Sequence, residues 1–385
     1  MAEVRRILCC DGGGIRGIVT LRCLQALEAR FGPCFDYFDM FAGTSTGAVI
    51  AAALARGMSV QQLAELYTER RTEIFSKRLL GSLHPLVTKY DKKPLRRILR
   101  EFFADSRLAD LERDVLITAV DTVRAETTFF SCFRLPAAAG GGRYGSYRDV
   151  RLRDAVEASC SAPTYFAAHG RFIDGGTTVY NNPAYMAAVE ALRYSSHKER
   201  EPPQPSRYDD VQLEVYSFGS GSVFGAMQPG EAINKSGLDW VYYVLREGGE
   251  HASYQQSYVL RSELDIAQDA ITFYRYELHM TPEMIGEVAP GSSIGPDDLA
   301  LDAIDEERFS LLDRLGRRFA DHLARNGLFD PTGPAAAAPL SSEQAVIVHG
   351  QNSVGRWERY GRPPMPEGYV EQVMREFDEL DGQDD

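Results

Sequence analysis

Short apolar runs separated by stretches of helical periodicity set the first expectation for this chain. Residues 6–10, 37–42, 115–121, 128–133, 171–173 and 213–218 read as buried strands. Helical patterns lie between them, at 17–30, 46–56 and 153–160, and a further helix opens at Pro183 with Asn182 as its N-cap. Strands alternating with helices predict an α/β fold, a central mostly parallel sheet with helices on both faces. Residues 308–326 carry Leu312, Leu315, Phe319 and Leu323 at three- and four-residue spacing and stop at Gly327, the pattern of an amphipathic helix packed on the body. Residues 140–147 and 202–210 read as surface loops, and 330–342, rich in Pro and Ala, as a linker to an acidic tail that includes Glu376, Asp381 and Asp385.

Length and composition narrow this. At 385 residues, 44% hydrophobic and 25% charged, the chain can bury a sizeable core and is not broadly disordered. With 42 Lys and Arg against 55 Asp and Glu, its net charge of −13 repels nucleic acid, and neither DNA nor RNA is expected as a partner. Cys9, Cys10, Cys23, Cys34, Cys132 and Cys160 form no C-x-x-C pair, so no metal site is expected, and a reduced cytoplasm suits them. The start lacks the apolar stretch of a signal peptide, and the longest apolar segment near the front, 48–55, is far short of a membrane span, so any membrane contact is expected to be peripheral.

Three motifs carry candidate chemistry. Gly43-Thr44-Ser45-Thr46-Gly47 joins a strand-like run to a helix-like one, the context in which G-x-S-x-G lifts a nucleophilic serine onto a sharp turn beside a helix N-terminus. Asp11-Gly12-Gly13-Gly14-Ile15-Arg16-Gly17 follows the first strand and frees successive backbone N–H groups to face one concavity, which suits an oxyanion hole. It also satisfies the dinucleotide fingerprint G-x-G-x-x-G, so a nucleotide-binding module remains the alternative from another class. Arg16 has two readings, orienting a substrate phosphate or pairing with Asp11 to pin the loop. Asp174-Gly175-Gly176 places a carboxylate at a strand end, where it could serve Ser45 as base. A histidine-dependent esterase would instead draw on His197, His251, His279, His322 or His349, none in a distinctive setting.

Taken in order, Asp11–Gly17, Gly43–Gly47 and Asp174–Gly176 resemble the motifs of patatin-like phospholipases. Ser159–Pro163 is similar to that family's small-residue segment, and Phe218-Gly219-Ser220-Gly221 to its later glycine turn. The resemblance implies a three-layer fold and a Ser-Asp dyad without histidine. Ser45 would be the nucleophile, Asp174 the base, and Gly12, Gly13 and Gly14 the oxyanion hole, with no cofactor. It implies a catalytic domain over 4–326, with a motif core at 4–225 and a helical basic segment inserted at 56–105, followed by linker and tail over 327–385. The expected activity is lipid acyl hydrolysis of membrane phospholipids by a cytoplasmic protein at the membrane surface. Some bacterial members are anti-phage effectors switched on by cyclic oligonucleotides, and similarity in size and layout extends the expectation of such an activator to this chain.

The inserted segment holds the main charge asymmetry. Residues 70–100 carry ten Lys and Arg against two acidic residues, and Leu95, Ile98, Leu99, Phe102 and Phe103 form one helical face beside Arg96, Arg97 and Arg100. Three readings follow: a surface for anionic lipid, a receptor for a polyanionic activator, or an ordinary amphipathic helix with its arginines in solvent.

Overall fold

The computed structural model describes most of residues 3–329. It leaves out 77–87, 136–142, 146, 195–205, 224–230 and scattered positions between 238 and 270, and beyond 329 it describes only 346–348. Of the expected linker and tail over 327–385, only 327–329 and 346–348 fall within the described residues.

A nine-stranded mixed sheet organises the chain. Its strands are β1 (Val4–Cys10), β2 (Met40–Thr44), β3 (Asp114–Asp121), β4 (Glu126–Arg134), β5 (Arg143–Tyr144), β6 (Phe172–Asp174), β7 (Gln212–Phe218), β8 (Ile271–Leu278) and β9 (Val346–Val348). They run in the order β5-β4-β3-β2-β1-β7-β8-β9, with β6 paired to β3. The five central strands, β3 to β8 along that path, are parallel, and antiparallel pairs lie outside them. Ile7, Leu8, Cys9 and Cys10 are all fully buried because both faces of β1 are covered. Leu8 and Cys10 pack with one set of helices, while Ile7 and Cys9 face the other side.

The larger layer holds α1 (Gly17–Phe31), α3 (Thr46–Ala55), α4 (Val60–Glu69), α6 (Lys93–Phe103), α7 (Leu152–Ser159) and α10 (Glu306–Arg325). Short turns α2 (Cys34–Tyr37) and α5 (Arg71–Ile74) adjoin it, and α9 (Pro282–Val288) packs on α10. The opposite face is covered by α8 (Ala184–Val189), through Ala184, Ala187 and Ala188. Helix α10 matches its periodicity, burying Leu312, Leu315, Phe319 and Leu323 against α1, and Gly327 ends it with φ of 63°.

Three expectations shift. The run at 37–42 begins in a helical turn, because Pro33 caps α2, and its strand starts only at Met40. Helix α8 begins at Ala184, one residue later than expected, although Asn182 Oδ1 still accepts the Ala184 amide at 3.0 Å. Within the expected loop at 140–147, Arg143 and Tyr144 pair with β4 as β5.

Candidate active site

Register brings the serine and the aspartate together. Strand β4 occupies one edge of β3 over Val115–Asp121; β2 and then β6 share the other. Thr44, the last residue of β2, lies opposite Thr118, and Asp174, the last residue of β6, lies opposite Ala119. Two motifs remote in sequence thus end at neighbouring residues of one strand.

Ser45 sits at the turn into α3 with φ 54° and ψ −122°, a conformation L-residues rarely adopt. The turn closes only because its flanks are glycine: a Cβ on Gly43 would stand 2.1 Å from the Gly47 carbonyl oxygen, and one on Gly47 2.1 Å from that of Cys10. Ser159, which the sequence offered only as part of a small-residue segment, anchors the turn. Its hydroxyl accepts the Ser45 amide at 2.8 Å and donates to the Thr118 carbonyl at 2.6 Å.

The buried Asp174 carboxylate lies beside Ser45 and accepts the Gly176 amide at 2.7 Å. Burial pushes its pKa up to about 6, against the lowering effect of the Ser45 hydroxyl, the Gly176 amide and the charge of Lys92.

The glycine loop lies beside this pair, a Cβ on Gly12 falling 3.3 Å from that of Ser45. Its three amides are not equivalent. The Gly12 amide already donates to the Asn181 carbonyl at 3.2 Å and is thus engaged, whereas those of Gly13 and Gly14 are the ones turned to no described acceptor. Asp11 pairs with Arg275 of β8 through both carboxylate oxygens, at 2.8 and 2.7 Å, not with Arg16. Arg16 is itself buried; it lines the cavity below and lends its positive charge to Glu277. Asn181 and Arg275 were invisible as site residues, although Asn181-Asn182-Pro183 and two charges two apart in an apolar run were signals of unusual local demands.

A cavity of about 570 Å³ opens from the serine. Gly12, Gly13, Gly14, Arg16, Ser45 and Asp174 form its polar end. Leu66, Ile74, Phe75, Leu95, Ile98 and Leu99, all from the segment 56–105, line its apolar body. The apolar face of α6 therefore turns inward. Most described cations of the basic segment are spent on the protein: Arg70 and Arg97 meet Glu73, Arg71 meets Glu306, Lys89 meets Asp302, and Lys92 and Arg96 share Glu157. Lys93 and Arg100 stay exposed. Of the candidate histidines, His279 bonds Ser222 and His322 lies in α10, while His197, His251 and His349 lie outside the described residues. No described histidine lines the cavity.

The fold and site define an α/β protein with a serine on a strained strand-to-helix turn beside a buried carboxylate, both lining one apolar cavity. The patatin-like phospholipase family model matches residues 8–188. The chain is 32% identical over 251 residues to a cGAMP-activated phospholipase of Vibrio cholerae, covering 57% of this chain and 68% of that one. It is 32% identical over 236 residues to a cGAMP-activated phospholipase of Escherichia coli, covering 57% and 62%. It is 31% identical over 255 residues to patatin-like protein 2 of Oryza sativa, covering 56% and 60%. The chain belongs to the patatin-like phospholipase family. It spans less than two thirds of the length of the Escherichia coli and rice proteins.

Proposed function

We propose that this protein is a serine lipid acyl hydrolase of phospholipase A type, acting through Ser45 and Asp174. The observation that carries this reading is the register that sets the Ser45 turn and the buried Asp174 on adjacent rungs of β3, where the unengaged Gly13 and Gly14 amides and an apolar cavity converge. As Ser45 Oγ attacks an ester carbonyl, Asp174 takes its proton, and the amides of Gly13 and Gly14 receive the oxyanion. Collapse of the tetrahedral intermediate expels the alcohol, which takes the proton back from Asp174, and leaves an acyl-serine. Water, activated by the same carboxylate, releases the fatty acid. The acyl chain lies along Leu66, Ile98 and Leu99, and Arg16 faces the polar headgroup. Arg16 can instead serve only to balance Glu277, and Arg16→Gln separates the two roles by its effect on KM for phospholipid against that for an uncharged ester.

The membrane phospholipid is approached from its surface by a cytoplasmic protein; among the described residues no helix is long and apolar enough to cross a bilayer. A cyclic oligonucleotide is the proposed activator, supported by the names of the Escherichia coli and Vibrio cholerae relatives. A nucleotide cradle at Gly12–Gly17 has less support, because the Gly12 amide is engaged and the Leu301 carbonyl, bonded to the Ile15 amide at 2.8 Å, packs over Gly14.

The test is covalent labelling with a fluorophosphonate, together with fatty-acid release from phosphatidylcholine and phosphatidylglycerol vesicles, with and without a panel of cyclic di- and trinucleotides. The reading expects one label, on Ser45, and release that increases with one of the nucleotides. An unlabelled Ser45 in a protein that hydrolyses esters refutes the assignment.

A further inference from the structure

Lys92 sits at the cap position of α6 and is 4% exposed. Two costs attach to a lysine there. Its ammonium is desolvated, and it faces the positive end of a helix. Burial accordingly draws its pKa below the ordinary lysine range, against the charge of Glu157. A methionine of similar shape would avoid both costs, so the charge itself needs a reason.

Its surroundings supply one. The ammonium donates to Ser161 Oγ at 2.5 Å and to the Ala167 carbonyl at 2.8 Å, and it forms an ion pair with the Glu157 carboxylate at 3.2 Å. The Ser161 hydroxyl spends its own proton on the Glu157 backbone carbonyl at 2.6 Å, so a lone pair is turned to the lysine. The Ser161 carbonyl in turn accepts the Asp174 amide at 3.1 Å. Lys92 is thus tied through one residue to the backbone that carries the carboxylate.

We propose that Lys92 is a positioning residue for Asp174, holding the backbone at Ser161 against the end of β6 and keeping a positive charge near the carboxylate that receives the Ser45 proton. This rests on the reading of Asp174 as the base. The charged and titratable groups involved come from several elements. Asp174 faces Ser45 from α3, Cys160 from the end of α7 and Lys92 from the start of α6. Lys92 faces Glu157 and Cys160 from α7 and Arg96 from α6. His169 and Asp154 adjoin Glu157 on its other side. Glu157, despite its burial, is held at about 2 by its neighbour His169, by the Arg96 hydrogen bond and by the charge of Lys92, so it is ionised at any working pH.

The signs follow. Removing Lys92 disfavours ionised Asp174, and neutralising Glu157 favours it. The experiment is the pH profile of kcat/KM on a soluble butyrate ester for the wild type, Asp174→Asn, Lys92→Met, Lys92→Arg and Glu157→Gln. Lys92→Met should move the acid limb up by about half a pH unit or more, Glu157→Gln should move it down, and Lys92→Arg should return it toward the wild type. Loosening of the fold would not shift the limb in opposite directions. A Lys92→Met limb coincident with the wild type overturns the proposal. Should Lys92→Met not fold, Glu157→Gln decides alone, a downward shift supporting the proposal and an unmoved limb overturning it. If the wild type lacks ester hydrolysis, or Asp174→Asn keeps it, the underlying function has failed instead.

Discussion

Asp174 is a carboxylate kept where a carboxylate is costly. Its folded pKa of about 6 lies above the value of an unfolded aspartate, so the folded chain holds this proton more tightly than the unfolded one. Its contribution to stability is therefore complete below the unfolded value near 4 and is lost as pH rises through about 6, whereas a base must be ionised. Hydrolysis should accordingly fall as the pH drops through about 6. Asp174→Asn should abolish turnover yet raise stability at pH 8 by about 1–3 kcal/mol, because asparagine can still accept the Gly176 amide without the burial cost of a charge. Urea unfolding at pH 8 checks this; a destabilised Asn variant would contradict it. Ser45→Ala should reach a similar activity floor, and the double variant should be no worse, since groups acting as a unit are not additive.

The glycine loop shows the limit of residue-level reading. Gly12, Gly13 and Gly14 were legible as a row of amides, but which of them is free depends on the Asn181 carbonyl, brought in from remote sequence. At Gly13 the demand comes from a packed neighbour of remote sequence, Ser220. A Cβ would stand 1.9 Å from Ser220 Oγ, a collision no local pattern could announce. Gly13→Ala should lower turnover about 100-fold, the scale of a displaced oxyanion donor. Gly13→Ala with Ser220→Gly, which removes the obstacle, should recover at least about tenfold of that loss. Equal activities in the single and double variants would argue against the collision as the cause.

Among elements, α6 changed meaning most. Its amphipathic pattern was plain from the sequence, and the pattern is equally compatible with packing and with lipid binding. Only tertiary placement decides which surface the apolar stripe covers. Leu95, Ile98 and Leu99 line the cavity, and Arg70 and Arg97 bridge to Glu73 across the turn from α5. Leu99→Trp should therefore shorten the accepted chain, lowering kcat/KM for decanoyl esters by about tenfold or more while changing butyrate hydrolysis about twofold at most. A uniform loss across chain lengths would place the acyl group elsewhere. The strands of the parallel core were legible because burial on both faces leaves continuous apolar runs. Strand β8 was not, since Arg275 and Glu277 interrupt its run with charges that find partners only in the fold.

At the scale of the whole molecule, those two charges join the sheet to the site. Arg275 and Glu277 are buried, and Arg275 holds Asp11 at the root of the glycine loop while also meeting Glu277. Removing the cation would strand two carboxylates in the interior. Arg275→Met should cost about 3–5 kcal/mol in urea unfolding or prevent folding outright, far more than the loss of an exposed arginine. A near-neutral effect would mean the loop is held by its backbone alone.

The pairing along β3 has one further consequence. Because the serine and the aspartate are each indexed to adjacent rungs of the same strand, the length of polypeptide between them does not set their separation in space. The intervening chain can lengthen, shorten or exchange its cavity-lining helices while the reacting atoms keep their distance. The strand acts as a fixed ruler, leaving the cavity free to diversify around unchanged chemistry.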